Sequence, residues 1–285
     1  MDSPRRIGDT TDILGEGSVW CARGQALWWV DIQAPAVRRW EAATGEVRSW
    51  TMPEPVGSLA LRTGDGLLVA LKRGLAFLDT DTGAITPAAP PHGEDADMRF
   101  NDGRCDRQGR FWAGTMGEAD PAPRGHLYRL DPVAGVAAVL HGLAIPNGLC
   151  WSPEGRTMYF TDSPTRTILA FAYDPTTGTP GERRVFARVE GPGIADGAIV
   201  DAEGHLWSAE YGAGRITRYA PDGRVDRRLA LPVSKPTCCA FGGPDLSVLF
   251  VTSCSIGVSA AEPLAGAVLA FEPGVRGLAE ARYGG

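Results

Sequence analysis

The sequence predicts an all-β fold: a six-bladed β-propeller closed by its N-terminal strand, with residues 1–285 forming one domain. Three observations predict it. Tight turns of the form Asp-x-x-Gly, each followed by an apolar run with an aromatic residue, recur along the chain in strong and weaker copies. Six copies follow one another at intervals of 42, 43, 46, 49 and 41 residues, the length expected of a four-stranded blade. No window sustains a 3.6-residue apolar period, which argues against helical and α/β folds, and a two-layer sandwich does not predict six near-equal units.

Taken in order, the segment 5–14 has no blade of its own and is expected to supply the missing outer strand of the sixth blade. The first unit turns at Gly24 before Leu27-Trp28-Trp29-Val30, and the second at Gly66 before Leu67-Leu68-Val69. The second continues through Leu75-Ala76-Phe77-Leu78 to a hairpin turn at Thr82-Gly83. The third carries a full copy, Asp106-Arg107-Gln108-Gly109-Arg110-Phe111-Trp112. The fourth reads Ser152-Pro153-Glu154-Gly155 before Met158-Tyr159-Phe160, then Ile168-Leu169-Ala170-Phe171 and a turn at Thr177-Gly178. The fifth is Asp201-Ala202-Glu203-Gly204-His205-Leu206-Trp207, followed by Ile216-Thr217-Arg218-Tyr219 and the turn Pro221-Asp222-Gly223. The sixth turns at Asp245 before Val248-Leu249-Phe250-Val251, and a short tail, 277–285, ends it. The hairpin turns need positive φ, which glycine supplies. Trp20, Trp28, Trp29, Trp112, Trp151 and Trp207 recur at blade-equivalent places and are read as packing between blades. Asp31 and Asp162, at the ends of second strands, are read as turn caps, and Lys235 as a surface lysine near the sixth ring position.

Composition agrees with many short strands and excludes several classes of function. The 37 glycines and 22 prolines make up about one residue in five, against roughly 12% ordinarily, while 44% hydrophobic content supports a core. Net charge is −6 and only Lys72 and Lys235 are lysines, so neither a nucleic-acid groove nor an anionic membrane surface is expected. The apolar runs are far shorter than the roughly 20 residues of a membrane helix, and the first residues carry no apolar core of a secretory signal. A cytoplasmic location is expected, and a monomer, because a closed propeller leaves only short, protected edges. Cys21, Cys105, Cys150, Cys238, Cys239 and Cys254 show no CxxC pair and are read as reduced thiols. His92, His126, His141 and His205 show no metal-ligand spacing, and no phosphate-binding loop is present.

The repeat also locates a site. Eight residues before each turn anchor stand Glu16, Ser58, Asn101, Asn147, Asp196 and Thr237, all polar, at the entry to otherwise apolar inner strands. Equivalent positions in successive blades lie at equal height around the axis, so the six converge on the mouth of the central tunnel. Three are followed closely by glycine, in Asn101-Asp102-Gly103, Asn147-Gly148 and Asp196-Gly197, which permits a strained or crowded backbone beside the ring. Carboxylates and amides without histidine or thiolate suit a hard cation, Ca²⁺, Mg²⁺ or Mn²⁺, and secondarily Zn²⁺ or Fe²⁺. Asx and Thr side chains at such entries also satisfy local backbone groups.

The strings Leu14-Gly15-Glu16-Gly17-Ser18, Arg99-Phe100-Asn101-Asp102-Gly103, Gly114-Thr115-Met116, Pro146-Asn147-Gly148-Leu149, Ala195-Asp196-Gly197 and Cys238-Cys239-Ala240-Phe241-Gly242-Gly243 resemble, in order and spacing across nearly the whole chain, the regucalcin (senescence marker protein)/gluconolactonase family. The resemblance implies a six-bladed propeller that binds one divalent cation at the tunnel mouth and hydrolyses sugar-acid lactones. It assigns Glu16, Asn147 and Asp196 as metal ligands and Asp196 also as general base. Arg99 and Asn101 match the family's substrate-binding pair. Glu118 is the nearest match to a substrate-contacting glutamate, in a loop, 117–124, that is shorter than the family pattern and carries one glutamate rather than two. The expectation is therefore a metal-dependent aldonolactone hydrolase acting on a small sugar lactone, with loops 91–98 and 117–124 setting selectivity. A propeller esterase or organophosphate hydrolase, and a non-catalytic calcium-binding propeller, are the alternatives.

Overall fold

A computed structural model describes residues 4–89 and 96–285. These residues form six four-stranded antiparallel sheets arranged as a six-bladed propeller. The inner strands, in blade order, are Gly15–Cys21, Val56–Leu61, Met98–Cys105, Pro146–Trp151, Ile194–Val200 and Pro236–Gly242. The sixth blade has only three strands of its own. Its outer strand is Arg5–Ile7, paired antiparallel with Val268–Phe271 through Arg5↔Ala270, Arg6↔Leu269 and Ile7↔Val268, as the sequence predicted. The chain then crosses to the first blade, held by hydrogen bonds from Asp12 N to Gly266 O and from Ser255 N to Ile13 O.

The repeating turn has a local cause. In the fifth blade Asp201 Oδ1 accepts from the backbone N–H of Glu203 and His205, closing the Asx turn, while its Oδ2 accepts from Trp207 Nε1 at 2.9 Å. Asp106 repeats the arrangement with Gln108, Arg110 and Trp112. One carboxylate thus shapes the hairpin and anchors the indole that packs against the next blade.

The apolar core is divided into six layers, each between neighbouring blades. All six recurring tryptophans are buried. Trp20 stacks on Phe250 across the first and sixth blades, with ring centroids 5.4 Å apart, and Trp112 meets Trp151 between the third and fourth. Such pairs contribute roughly 0.5–1.5 kcal/mol beyond area burial and fix the angle between blades. Asp31 caps its turn through Gln33 N and Ala34 N and also accepts from Leu14 N, whereas Asp162 makes no cap bond at its own turn and accepts instead from Ala144 N and Ile145 N, at the entry to the fourth blade. The six cysteines are free thiols. Cys239 lies in the layer between the fifth and sixth blades, whereas Cys238 faces Arg104, on the opposite face of the strand. No helix among the described residues is long and apolar enough to cross a membrane.

Candidate active site

Every inner strand breaks its pairing at the ring position. Register slips between Glu16 and Val19, Val56 and Ser58, Phe100 and Gly103, Asn147 and Cys150, Ala195 and Ala198, and Pro236 and Cys239. At each slip the inner strand gains one residue over its partner, a β-bulge, which bends the strand and re-aims a side chain. The pleat alone would alternate these residues between blade faces; the bulges place polar side chains at the same height in six blades. All six ring residues are buried. Gly148 adopts φ 67, and a Cβ on Gly197 would lie 2.7 Å from Cys238 Sγ in the neighbouring inner strand. Glycine beside the ring therefore answers both a left-handed backbone and crowding between blades.

Glu16 of the first blade and Asp196 of the fifth are both buried, and the charge of Glu16 bears on Asp196. Burial, reinforced by the charge of Asp102, pushes the Glu16 carboxyl up to about 8. Burial, together with Glu16 and Asp102, raises Asp196 well above the carboxylate range. Glu16 Oε2 also accepts from Gly17 N at 3.1 Å. Asn147 is oriented on both sides: its Nδ2 donates to Ser163 Oγ at 2.9 Å, and its Oδ1 accepts from Asn101 Nδ2 at 3.0 Å. Ser163 Oγ in turn donates to Ala195 O at 2.7 Å, tying the fourth blade to the fifth beside Asp196.

Arg99 and Asn101 form one unit. Arg99 Nη1 donates to Asn101 Oδ1 at 2.8 Å and to Phe100 O at 2.9 Å, and Asn101 Nδ2 also donates to Pro146 O at 3.0 Å. The Arg99 guanidinium is buried, which depresses its pKa, and it feels the charges of Glu118, Glu16 and Asp196. Its Nε is buried with no partner among the described residues. Glu118 lies further out, on the rim, where its carboxylate holds Lys72 Nζ of the second blade at 2.5 Å. Its loop is tied down by hydrogen bonds from Glu118 N to Asp97 O and from Ala119 N to Asp97 Oδ1. Residues 91–95 of the loop 91–98 lie outside the described residues.

The remaining ring members behave differently. Thr237 Oγ1 donates to Gly15 O across the sixth and first blades and meets Thr252 Oγ1 at 2.9 Å, so its hydroxyl serves the backbone. Ser58 Oγ is buried without a partner among the described residues. His126, His141 and His205 stand outside the ring. Lys235 is half-buried rather than simply on the surface: its Nζ donates to Ile256 O and lies 5.5 Å from the Tyr211 ring.

Sequence reasoning passed over a deeper layer of charge. Asp102, the residue after Asn101, is buried and its Oδ2 accepts from Leu149 N at 3.0 Å. Below it the buried Arg104 pairs with Glu280. Glu16, Asp102, Asp196 and Glu280 present four buried carboxyls against the two guanidiniums of Arg99 and Arg104. When all are ionised, two negative charges remain, matching one divalent cation, and the oxygen-only donor set of Glu16, Asn147 and Asp196 suits a hard one. A second acidic group, Asp201, Glu203 and His205, also brings potential ligand atoms together. There Arg218 already supplies the counter-charge, donating to Asp201 Oδ2 at 2.7 Å and to Glu203 Oε2 at 2.6 Å.

Fold and ring together define a closed six-bladed propeller with an oxygen-donor site at one mouth of its tunnel. The chain belongs to the SMP-30/Gluconolactonase/LRE-like family, whose model matches residues 14–255. It is 40% identical to the L-arabinolactonase of Azospirillum brasilense over 98% of this chain and 95% of that one. It is 38% identical to the 6-deoxy-6-sulfogluconolactonase of Pseudomonas putida over 96% of each. Among solved structures, the calcium-binding protein regucalcin from Agrobacterium tumefaciens str. C58 superposes with a TM-score of 0.94 at 33% identity, covering 99% of this chain and 97% of that one.

Proposed function

We propose that this protein is a divalent-cation-dependent lactonase that opens sugar-acid lactones to aldonic acids. The observation that carries the reading is the buried Glu16–Asp196 carboxyl pair, set beside the oriented amide of Asn147 and facing the guanidinium of Arg99. Burial disfavours the ionised form of two neighbouring carboxyls, and a bound cation would stabilise them as carboxylates. Glu16, Asn147 and Asp196 would hold that cation, Asn147 through Oδ1. The lactonase names of the two relatives support the reaction class.

When bound, the cation supplies positive charge opposite the oxygen on which negative charge builds as the lactone carbonyl is attacked. The protein's own groups do the rest. Arg99, with its unpartnered Nε, binds a substrate oxygen, and Asn101 holds that guanidinium in place. Asp196 accepts a proton from the attacking water. The water oxygen would bond to the carbonyl carbon and the ring C–O bond would break, the ring oxygen leaving as a hydroxyl by taking the proton that Asp196 accepted, and the product acid would lose its own proton to solvent and leave as its carboxylate. Glu118, paired with Lys72 at the rim, would meet hydroxyls of the lactone.

A lactonase assay on chelator-treated protein tests the reading. Turnover of arabinono- and glucono-lactones is expected to disappear on chelation and to return with Ca²⁺ or Mn²⁺. Undiminished turnover by metal-free protein would contradict it.

A further inference from the structure

The tail 277–285 does more than end the chain. It runs across the face of the propeller opposite the ring. Ala202 N donates to Arg276 O and Gly277 N to Leu246 O, engaging the fifth and sixth blades. Tyr283 N donates to Leu61 O, Thr63 N to Tyr283 O and Gly284 N to Gly109 O, engaging the second and third. The Tyr283 ring is buried in the layer between those two blades. From this strap Glu280 turns inward and pairs with Arg104, both side chains less than one-tenth exposed.

Arg104 spans the tunnel. It leaves the inner strand of the third blade and its Nη2 reaches Ser18 O of the first blade and Cys239 O of the sixth, each at 3.5 Å. Ser18 is two residues from Glu16, and Arg104 also faces Asp102, whose charge bears on Glu16 and Asp196. A fixed positive charge beneath a cation site would oppose the cation. Glu280 cancels it from below.

We propose that Glu280, delivered by the tail, is a positioning residue for the site: by neutralising Arg104 it keeps the tunnel two charges negative and so sets the affinity of the ring for a divalent cation. The proposal rests on the reading of Glu16, Asn147 and Asp196 as a cation site. It assigns the tail an electrostatic role in addition to its packing role.

The test is a charge cycle read by calorimetric titration of Ca²⁺, and of Mn²⁺ in parallel, into the chelator-treated full chain, with thermal unfolding recorded for every variant. Glu280→Gln leaves Arg104 uncompensated and is expected to weaken binding about tenfold, the order for a unit charge acting on a divalent cation through a well-screened interior. Arg104→Gln is expected to tighten binding by a similar factor and to raise the preference for La³⁺ over Ca²⁺. Arg104→Met with Glu280→Leu removes both charges, a replacement that buried pairs commonly tolerate, and is expected to bind within about threefold of wild type. If either single variant fails to fold, the other single variant and the double variant decide. A tail that only packs would change unfolding temperatures without this pattern of signs; equal affinity in either folded single variant, or a tenfold change in the double variant, would overturn the proposal. Wild-type protein that binds neither cation would overturn the underlying site reading, whereas wild-type binding with an unresponsive Glu280→Gln overturns this inference alone.

Discussion

Asn101 Nδ2 of the third blade donates to Asn147 Oδ1 of the fourth at 3.0 Å, so the residue matched to substrate binding also orients a proposed cation ligand. On the proposed reading, binding of cation and binding of lactone would be joined through one amide pair, with Arg99 bonded to Asn101 and Ser163 bonded to Asn147.

Asn101→Ala is accordingly expected to weaken cation binding as well as to raise KM, because it frees the Asn147 amide and removes the acceptor that steadies Arg99. Calorimetry of the metal-free variant measures the first effect and steady-state kinetics the second. A cation affinity equal to wild type would show the two functions to be separate.

Asp196→Asn retains an oxygen donor but removes the charge and the proton acceptor. Cation affinity should fall, and at saturating cation turnover should remain at least about 10²-fold below wild type, since general bases typically contribute 10²–10⁴-fold. Asn147→Ala removes a neutral ligand only, so added cation should restore much more of its rate. Recovery of wild-type turnover by both variants would leave Asp196 as a ligand and transfer the search for the base to Glu16 and Asp102.

Arg99→Ala should leave folding intact and cation binding undiminished, because it removes a positive charge from beside the carboxyl pair. The loss should fall on kcat/KM for polyhydroxylated lactones, by about tenfold to a hundredfold for a charge-assisted hydrogen bond. Unchanged kcat/KM would remove Arg99 from the substrate site.

The pH dependence has a definite sign. Glu16 has a folded pKa of about 8 against an ordinary value of 4.5, raised by burial first and by Asp102 second. Because the folded value lies above the unfolded one, its contribution to stability is full below about 4.5 and is lost as pH rises toward about 8. Metal-free protein should therefore melt at progressively lower temperature across that window, and cation should remove the trend. Cation affinity should rise over the same interval with release of protons, measurable by calorimetry in buffers of different ionisation enthalpy.

Gly197→Ala places a methyl group 2.7 Å from Cys238 Sγ and 2.8 Å from its Cα, where the fifth and sixth inner strands meet. Overpacking of this kind typically costs about 1–3 kcal/mol, and thermal unfolding should register it.

What could be read from the sequence was whatever the chain encodes within a few residues. The Asp-x-x-Gly turns are closed by side-chain-to-backbone bonds two to four residues away, as at Asp201 with Glu203 and His205, so each blade announces itself and the interval between blades yields the propeller. The same interval placed Glu16, Asn101, Asn147 and Asp196 at equivalent positions, because equal depth in a repeat means equal height around the axis. The tertiary structure decided which ring members work together. Thr237 shares the position but gives its hydroxyl to Gly15 O, across 222 residues of sequence. Asp102 and Arg104 are ordinary polar residues in the sequence, and Glu280 belongs to a tail without a repeat; they become one buried charge system only when closure of the ring brings residues 104 and 280 together, 176 positions apart. Local hydrogen bonds leave a signature in neighbouring residue types, whereas a charge buried on the tunnel axis is balanced by whatever the closed fold delivers there.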